Sequence, residues 1–431
     1  MISRSLWLLA GALVAGPLWA QLQLKPCTLE STPAKCGTFT VPENHARPDG
    51  RKIALAVVVL PSSTLPSSNP GPAHDPLLIL DGGPGSAATS LTSFAVGALA
   101  PVRADRAVVL MDQRGSGGPN ALRCDPAPRH FMVPKDPAAC IAELSSHADL
   151  SQYGTLDFVE DIEALRKALG ADHVHLYGAS YGSRVAQLYL REHPAAVRSI
   201  VMAGPAPMSM ILPDGVLHDS DAALEQIVKG CRFNSGCAAA FPDLKIPPPG
   251  FDDFSRMGLH LLMYSPETAR RVPWLLAQAA AGHNRIVQSQ TEEARAMVAG
   301  SIALGLHLAV ICSEDLPLAK ESTGAFVEEY RQACREWPRK KTQANLHDPV
   351  RSEVPLLMLT GERDPVTGPA RAKELQQYFP NARKIVVPGG GHMFGGYSGC
   401  LDRAIAAFLR GVSPDTACLA KLPATDYFLG Q

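Results

Sequence analysis

The run VHLYGASYG at residues 174–182 joins a short apolar strand to a Gly-x-Ser-x-Gly turn. The residues that follow, Ser183–Glu192, have the pattern of a helix. A serine between strand and helix sits on a sharp turn that exposes its hydroxyl at the end of the sheet, and the flanking glycines relieve the crowding there. The N-terminus of the helix also favours negative charge developing at the serine. We therefore expect Ser180 to be a nucleophile.

Strand and helix patterns alternate on both sides of this turn. Thr155–Leu169 is predicted to be a helix with Thr155 as its cap, and a second helix is predicted at Pro369–Tyr378. Short apolar runs predict strands at Lys52–Leu60, Leu77–Leu80, Ala107–Met111, Ser199–Met202, Val354–Thr360 and Lys384–Val387. This alternation predicts an α/β fold with a mostly parallel sheet and helices on both of its faces.

The alternation is interrupted between residues 205 and 345, where the strand signals disappear. Helical patterns such as Ala222–Lys229 and Thr291–Val310 replace them. We expect an α/β core in two parts, residues 21–204 and 346–431, with a helical insertion at 205–345.

Two downstream residues complete a catalytic triad in the sequence. A serine on such a turn takes its partners in the order acid, then histidine. His392, in the loop after the strand Lys384–Val387, is the only histidine beyond residue 350. Asp364 follows the preceding strand and is the expected acid, with Glu362 as its rival. A buried carboxylate there would orient the imidazole and stabilise its protonated form.

The reaction also requires donors for an oxyanion. One is the backbone N–H of Tyr181, directly after the nucleophile. The other is expected from the turn Gly82-Gly83-Pro84-Gly85, which ends the strand Leu77–Leu80. Pro84 has no N–H, so Gly83 is the better candidate.

The N-terminus and the composition indicate the compartment and exclude some partners. Arg4 precedes an apolar run at Leu6–Val14, and a cleavage point follows before Gln21, so residues 1–20 are predicted to be a signal peptide. An uncleaved anchor is the alternative. We expect a periplasmic or secreted protein with no stable membrane insertion after cleavage. The net charge of −1 gives no electrostatic basis for binding nucleic acid.

Ten cysteines suit an exported chain, because disulfides persist in oxidising compartments. Each has a neighbour nearby in sequence, so nearest-neighbour pairing is the working expectation, although the spacing alone leaves other pairings open. The expected pairs are Cys27 with Cys36, Cys124 with Cys140, Cys231 with Cys237, Cys312 with Cys334 and Cys400 with Cys418. Metal binding by these cysteines is the competing interpretation. No cofactor or metal is expected.

These motifs, together with the turn Asp112-Gln113-Arg114-Gly115, resemble those of the proline iminopeptidase and tripeptidyl aminopeptidase family of serine exopeptidases. The resemblance spans about residues 50–200 and 350–410. It implies an α/β-hydrolase fold with a helical cap over the active site, and substrates that are peptides with a free N-terminus. Proline iminopeptidases usually carry His before the glycine turn, where this chain has Asp81. Arg114 and Asp112 are expected to hold loops in place.

An aminopeptidase requires a carboxylate for the substrate ammonium group, because an ion pair inside a closed cap is screened less than in water. Glu314 is the expected residue, with Asp315 next to it as the second choice. Two other functions remain open. A carboxylesterase would use the same triad on small acyl esters, and a binding protein would keep the fold without catalysis.

Overall fold

The computed structural model describes residues 21–64, 75–128, 130, 132–246, 253–319, 324–394 and 399–430. The predicted signal peptide, residues 1–20, lies outside these ranges. The described residues form one nine-stranded sheet. Its strands are β1 (Gln21–Leu29), β2 (Thr32–Pro42), β3 (Lys52–Leu60), β4 (Leu77–Leu80), β5 (Val108–Met111), β6 (Val174–Ala179), β7 (Val197–Ala203), β8 (Leu356–Gly361) and β9 (Ala382–Val387).

The strand order places the catalytic motifs at one edge of the sheet. The order is β1-β2-β3-β5-β4-β6-β7-β8-β9. β1, β2, β3 and β5 pair antiparallel in succession, and all pairs from β5 to β9 are parallel. Because parallel strands end at the same edge, the turns after β4, β6, β8 and β9 meet there, which is where open α/β sheets bind ligands.

Helices surround the sheet and fill the chain between β7 and β8. They are α1 (Thr92–Val96), α2 (Ala100–Arg103), α3 (Pro137–Ser145), α4 (Thr155–Ala168), α5 (Tyr181–Glu192), α6 (Asp214–Phe233), α7 (Ser235–Ala240), α8 (Asp253–Leu262), α9 (Pro266–Ala269), α10 (Val272–Ala280), α11 (Asn284–Ser301), α12 (Leu304–Val310), α13 (Ala325–Cys334), α14 (Pro369–Leu375) and α15 (Leu401–Leu409). One π-helical turn, Ile311–Asp315, continues α12.

Both faces of the central strands of the sheet are buried, as the alternating pattern predicts. Consecutive residues of β4 belong to different hydrophobic clusters. Leu78 packs with residues of α4 and α5, whereas Leu77 packs with residues of α2 and α15. Adjacent residues of a strand point to opposite faces, so a strand covered on both sides is apolar throughout. This explains why all four residues of β4 are buried.

The helical insertion has a small core of its own, built mainly by α6, α8 and α10. Its helix α12 differs, because Leu306 and Leu308 pack into the main core beside the sheet. Tyr427, near the C-terminus, packs into the core of the insertion. The insertion therefore packs against the rest of the protein through α12 and through the C-terminal segment. Its expected limits, 205–345, stay a prediction.

One local element was not predicted, and one local prediction was wrong. Residues 21–42 form the ribbon β1–β2, which the half-exposed, proline-containing sequence did not indicate. The helix predicted over Thr291–Val310 is broken between α11 and α12. At the break, the N–H of Ala303 donates to the carbonyl of Gly85 (3.0 Å), a contact with the core that a continuous helix would prevent.

All five expected disulfides form, and each joins nearest neighbours in the sequence. They occupy all ten cysteines. The competing interpretation of these cysteines as metal ligands is therefore wrong. Five disulfides indicate an oxidising environment for the folded chain.

Across the described ranges, no single helix has the length and apolar composition to cross a membrane. One bent pair, Asn284–Ser301 with Leu304–Leu318, meets these criteria only when its halves are taken together.

Candidate active site

Ser180 lies on a strained turn between β6 and α5. Its backbone angles, φ 53° and ψ −123°, are unusual for a residue with a side chain. Two glycines make the turn possible. A Cβ on Gly178 would lie 2.6 Å from the carbonyl oxygen of Gly182, and one on Gly182 would lie 2.1 Å from that of Leu80. The Gly-x-Ser-x-Gly spacing therefore reflects close backbone packing that holds the serine in one position.

Asp364 and His392 meet at the same edge of the sheet. The Nδ1 atom of His392 lies 3.0 Å from each carboxylate oxygen of Asp364. The acid is fixed by further donors: the N–H groups of Val366 (2.8 Å) and Thr367 (2.9 Å), and the hydroxyl of Thr367 (2.8 Å). An acid held in this way orients the imidazole so that Nε2 can act as a base.

The environment of Asp364 keeps it ionised. Burial alone would raise the pKa of this carboxyl, but His392 and the backbone donors outweigh burial and hold the pKa below its usual value. The rival acid, Glu362, is exposed and accepts a hydrogen bond from the N–H of Gly389 (2.8 Å). Glu362 therefore supports the loop that leads to His392, and Asp364 contacts the imidazole.

Two residues that the sequence did not indicate shape the histidine site. A Cβ on Gly204, directly after β7, would lie 2.9 Å from Cε1 of His392, so only glycine leaves room for the ring. Tyr264, after α8, packs edge-on against His392 with ring centroids 5.1 Å apart. The N–H of Met393 donates to the carbonyl of Tyr264 (2.7 Å). Tyr264 follows no motif, and only the fold brings it to the histidine.

The glycine turn after β4 lies directly against Ser180. A Cβ on Gly82 would lie 2.9 Å from the Cβ of Ser180. Gly83 has φ +108°, a conformation that favours glycine. Tyr181 begins α5, and its side chain is buried beneath the turn, with its hydroxyl 2.5 Å from Oγ1 of Thr155. The glycine turn and the start of α5 thus lie next to the nucleophile, and Gly83 and Tyr181 stay the predicted donors of the oxyanion hole.

Glu314 lies away from the cavity, so its expected role in binding the substrate amine is wrong. Its Oε1 accepts from the N–H of Thr155 (2.6 Å) and its Oε2 from the hydroxyl of Thr155 (2.5 Å). Glu314 therefore caps α4 from a distant part of the chain, which replaces the predicted capping by the Thr155 side chain itself. Burial raises the pKa of Glu314 to about 7.

Asp315 is also committed to a structural contact, so the second choice for the amine is wrong as well. Both of its carboxylate oxygens bind Nη1 of Arg184, at 3.0 and 2.8 Å. Its Oδ1 also accepts from the N–H of Leu212 (3.1 Å). Both partners are buried. The π-helical turn therefore fastens the insertion to α4 and α5 through two neighbouring carboxylates.

The turn after β5 has the supporting role expected of it. Arg114 is fully buried and pairs with both oxygens of Asp161 at 2.7 Å. Its Nη1 donates to the carbonyls of Glu43 and Gln152 (2.7 Å each). Asp112 accepts from the N–H of Thr89 (2.8 Å). These contacts hold loops beneath the site.

A cavity of about 970 Å³ lies between the sheet edge and the insertion. Ser180, His392, Gly83 and Tyr181 line it, and most of the remaining lining is apolar. Among the described residues, its carboxylates are Asp81, Glu267 and Asp402. Burial raises the pKa of Asp81 to about 6, and its Oδ1 accepts from the N–H of Gly82 (2.7 Å).

Two family models match this chain. The model described as alpha/beta hydrolase fold matches residues 75–230, and the model described as TAP-like protein matches residues 320–418. Together they span more than half of the chain. The chain is an α/β-hydrolase. The fold class predicted from the elbow and the strand–helix alternation is confirmed, as is the family resemblance.

The relatives of this α/β-hydrolase include peptidases at low identity. It is 25% identical to serine protease Hip1 of Mycobacterium tuberculosis over 230 residues, which are 47% of this chain and 42% of that protein. It is 28% identical to proline iminopeptidase of Heyndrickxia coagulans over 130 residues, 30% of this chain and 35% of that protein. The matched stretches thus cover less than half of these relatives' lengths.

A solved structure of proline iminopeptidase from Mycobacterium smegmatis is also similar to this hydrolase. The match has a TM-score of 0.44 and 17% identity, and it covers 87% of this chain and 98% of the other.

Proposed function

We propose that this hydrolase is an exported serine peptidase that releases residues or short peptides from the N-terminus of peptides. The observation that carries the proposal is the cavity, because the nucleophile, the histidine and carboxylate side chains line it together. The TAP-like model match and the peptidase relatives support the same class.

The proposed reaction follows from the positions of the side chains. Ser180 Oγ attacks the carbonyl carbon while His392 Nε2 takes the hydroxyl proton, and Asp364 stabilises the resulting imidazolium. The N–H groups of Gly83 and Tyr181 donate to the oxyanion. His392 then gives the proton to the leaving amine, and an acyl-enzyme remains on Ser180. Water, deprotonated by His392, attacks this ester and regenerates Ser180.

In this proposal, Asp81 binds the substrate ammonium group in place of Glu314. It lines the cavity and immediately precedes the oxyanion turn, so it lies beside the scissile bond. Burial leaves this carboxylate poorly solvated, which raises its pKa. An ammonium group bound there would return the lost solvation, and the ion pair would be little screened. Asp402 lines the same cavity and is the second candidate.

A panel of substrates tests the proposal. Aminoacyl, dipeptidyl and tripeptidyl amides, each free and N-acetylated, are compared with simple esters. We expect the free amides to be preferred by about 10- to 150-fold in kcat/KM, since a hydrogen bond to a charged group is worth roughly 1.5–3 kcal/mol.

Variants then identify the residue that binds the amine. Asp81→Asn should remove the preference for free amides, and Glu314→Gln, the matched control, should keep it. Equal cleavage of free and acetylated amides by the unmutated enzyme would refute the proposed aminopeptidase activity. A preference that survives in Asp81→Asn would refute only the choice of Asp81, and Asp402→Asn would then be tested.

A carboxylesterase remains the second candidate, because the apolar lining of the cavity suits the acyl group of a small ester. The substrate panel separates the two, since an esterase requires no charged amine. A non-catalytic binding protein is the third candidate, and it predicts no turnover of any substrate in the panel.

We also propose export to the periplasm or the medium, with the signal peptide at residues 1–20. The five disulfides support this assignment. N-terminal sequencing of the mature protein tests it, and a mature chain that begins near Gln21 is expected.

A further inference from the structure

A buried histidine of the insertion holds the oxyanion turn. His307, on α12, is 2% exposed. Its Nδ1 lies 3.0 Å from the carbonyl oxygen of Pro84, the residue after Gly83. Its Nε2 lies 2.9 Å from the hydroxyl of Tyr330, on α13. A single side chain therefore joins the turn after β4 to two helices of the cap.

The hydrogen-bond partners of His307 determine which of its two ring nitrogens carries the proton. A carbonyl oxygen only accepts, so Nδ1 carries the hydrogen and donates it to Pro84. Nε2 is then an acceptor, and the hydroxyl of Tyr330 donates to it. Burial lowers the pKa of His307 to about 4, so the ring is neutral at working pH. With both nitrogens engaged, His307 is not available as an acid or a base, although it lines the cavity.

A second contact holds the same turn. The N–H of Ala303 donates to the carbonyl of Gly85 (3.0 Å), and a Cβ on Gly85 would lie 3.0 Å from the carbonyl oxygen of Ala303. The cap therefore forms hydrogen bonds with the two residues directly after Gly83, at the carbonyls of Pro84 and Gly85. Gly83 itself has a positive φ, a backbone conformation that favours glycine. Because glycine has no side chain that could hold this conformation, contacts of the neighbouring residues must fix the direction of its N–H.

We propose that His307 is a positioning residue, which fixes the oxyanion donor at Gly83 through Pro84 and so couples the seating of the cap to transition-state stabilisation. The inference rests on the serine hydrolase chemistry of the proposed function, and it holds whether the substrate is an amide or an ester. Removing an oxyanion donor costs about 100- to 1000-fold in kcat. A misplaced donor should cost less, about 10- to 100-fold.

The test compares two replacements of His307. His307→Leu removes both hydrogen bonds, whereas His307→Asn keeps a side-chain N–H near the position of Nδ1. With an ester substrate and an amide substrate, we expect His307→Leu to lower kcat by about 10- to 100-fold and to leave KM nearly unchanged. His307→Asn should recover most of the loss.

The decisive readout is the affinity of a transition-state analogue, a peptide aldehyde whose tetrahedral adduct places its oxygen in the oxyanion hole. Its inhibition constant should rise by the same factor by which kcat/KM falls. His175→Leu is the matched control, because His175 is also buried and neutral but lies at the far end of β6, bound to Ser199 Oγ (2.7 Å). It should lower the melting temperature without changing the aldehyde affinity.

Several outcomes would overturn the proposal: unchanged kcat in His307→Leu, unchanged aldehyde affinity despite lower kcat, or no recovery in His307→Asn. If His307→Leu does not fold, Tyr330→Phe carries the test, because it leaves Nε2 without its donor and frees the ring to turn. Parallel losses of kcat and aldehyde affinity are expected in Tyr330→Phe, and wild-type values of both would reject the positioning role. No activity of the unmutated enzyme on either substrate would instead refute the proposed function.

Discussion

Glu314 caps α4 by accepting hydrogen bonds from both the N–H and the hydroxyl of Thr155, at 2.6 and 2.5 Å. The same hydroxyl contacts that of Tyr181, the residue after the nucleophile. A carboxylate of the insertion is thereby linked to the base of the elbow. Its function is to hold these elements together, and it does so as a buried acid whose pKa is raised to about 7.

The first prediction concerns stability against pH. Because the pKa of Glu314 is about 7 in the folded chain, against an ordinary value of 4.5, the folded chain binds its proton more tightly than the unfolded one. The free energy of unfolding should therefore fall as pH rises from about 4.5 to about 7. Glu314→Gln removes this dependence. As pH rises from 5 to 8, the free energy of unfolding of the variant should therefore increase relative to that of the wild type by on the order of 2 kcal/mol. Urea unfolding at both pH values measures the difference, with the exposed Glu225→Gln as control. Parallel profiles of wild type and Glu314→Gln would contradict it.

The second prediction concerns the nucleophile. Ser180→Ala should fold but lose turnover by at least about 10⁴-fold, because the triad acts as a unit. It should also fail to react with a fluorophosphonate probe that labels the wild type. Circular dichroism controls for folding. Labelling that persists in the variant would place the nucleophile elsewhere.

The third prediction separates the two candidate acids. Asp364→Asn should lower kcat by roughly 10⁴-fold, since the amide favours the wrong tautomer of His392. Glu362→Gln should leave kcat close to wild type, because the amide oxygen still accepts from Gly389. Steady-state kinetics on one ester measures both. Comparable losses in the two variants would show that the contact between Asp364 and His392 is not what sets the rate.

The fourth prediction concerns the pH dependence of amine recognition. The ratio of kcat/KM for free over acetylated amides cancels pH effects on the chemical step, which both substrates share. With the pKa of Asp81 at about 6, this carboxyl is neutral at lower pH and attracts no ammonium. The ratio should therefore rise as pH increases through about 6, and Asp81→Asn should flatten it. A wild-type ratio constant from pH 5 to pH 7.5 would argue against an ionising carboxylate at the amine.

The fifth prediction ranks two disulfides. Cys312–Cys334 closes a span of 22 residues and Cys231–Cys237 a span of 6, and all four cysteines are buried. By loop entropy alone, replacing both cysteines with alanine should cost about 3 kcal/mol for the first pair and about 2 kcal/mol for the second. Urea unfolding of the two double variants gives the order. The reverse order would show that loop entropy does not control the difference.

The parts of the fold that could be predicted depend on local patterns. β3 and β4 have the predicted limits, because each is a short apolar run ended by turn residues. The elbow was predictable for the same reason, since the glycines, the serine and the flanking strand and helix are contiguous. Asp364 and His392 could be predicted because each follows a strand of the same parallel sheet.

The errors arose where a residue's partner is distant in sequence. Glu314 looked like a free carboxylate at a helix end, but its partner Thr155 is 159 residues away. The break before α12 depends on Gly85, which is even more remote from Ala303 in the sequence. The ribbon β1–β2 is half exposed and carries Pro26 and Pro33, so neither periodicity nor propensity marked it as sheet.

The parallel pairing of β7 with β8 has a consequence for how this chain reaches its native state. β7 is almost fully buried, yet its neighbour on one side begins only at Leu356, after the whole helical insertion. During synthesis and early folding, the apolar edge of β7 stays open while the intervening helices form. Open strand edges pair with those of other chains, and slow non-local closure prolongs this exposure. Refolding yield should therefore depend steeply on protein concentration, even where the finished protein is stable.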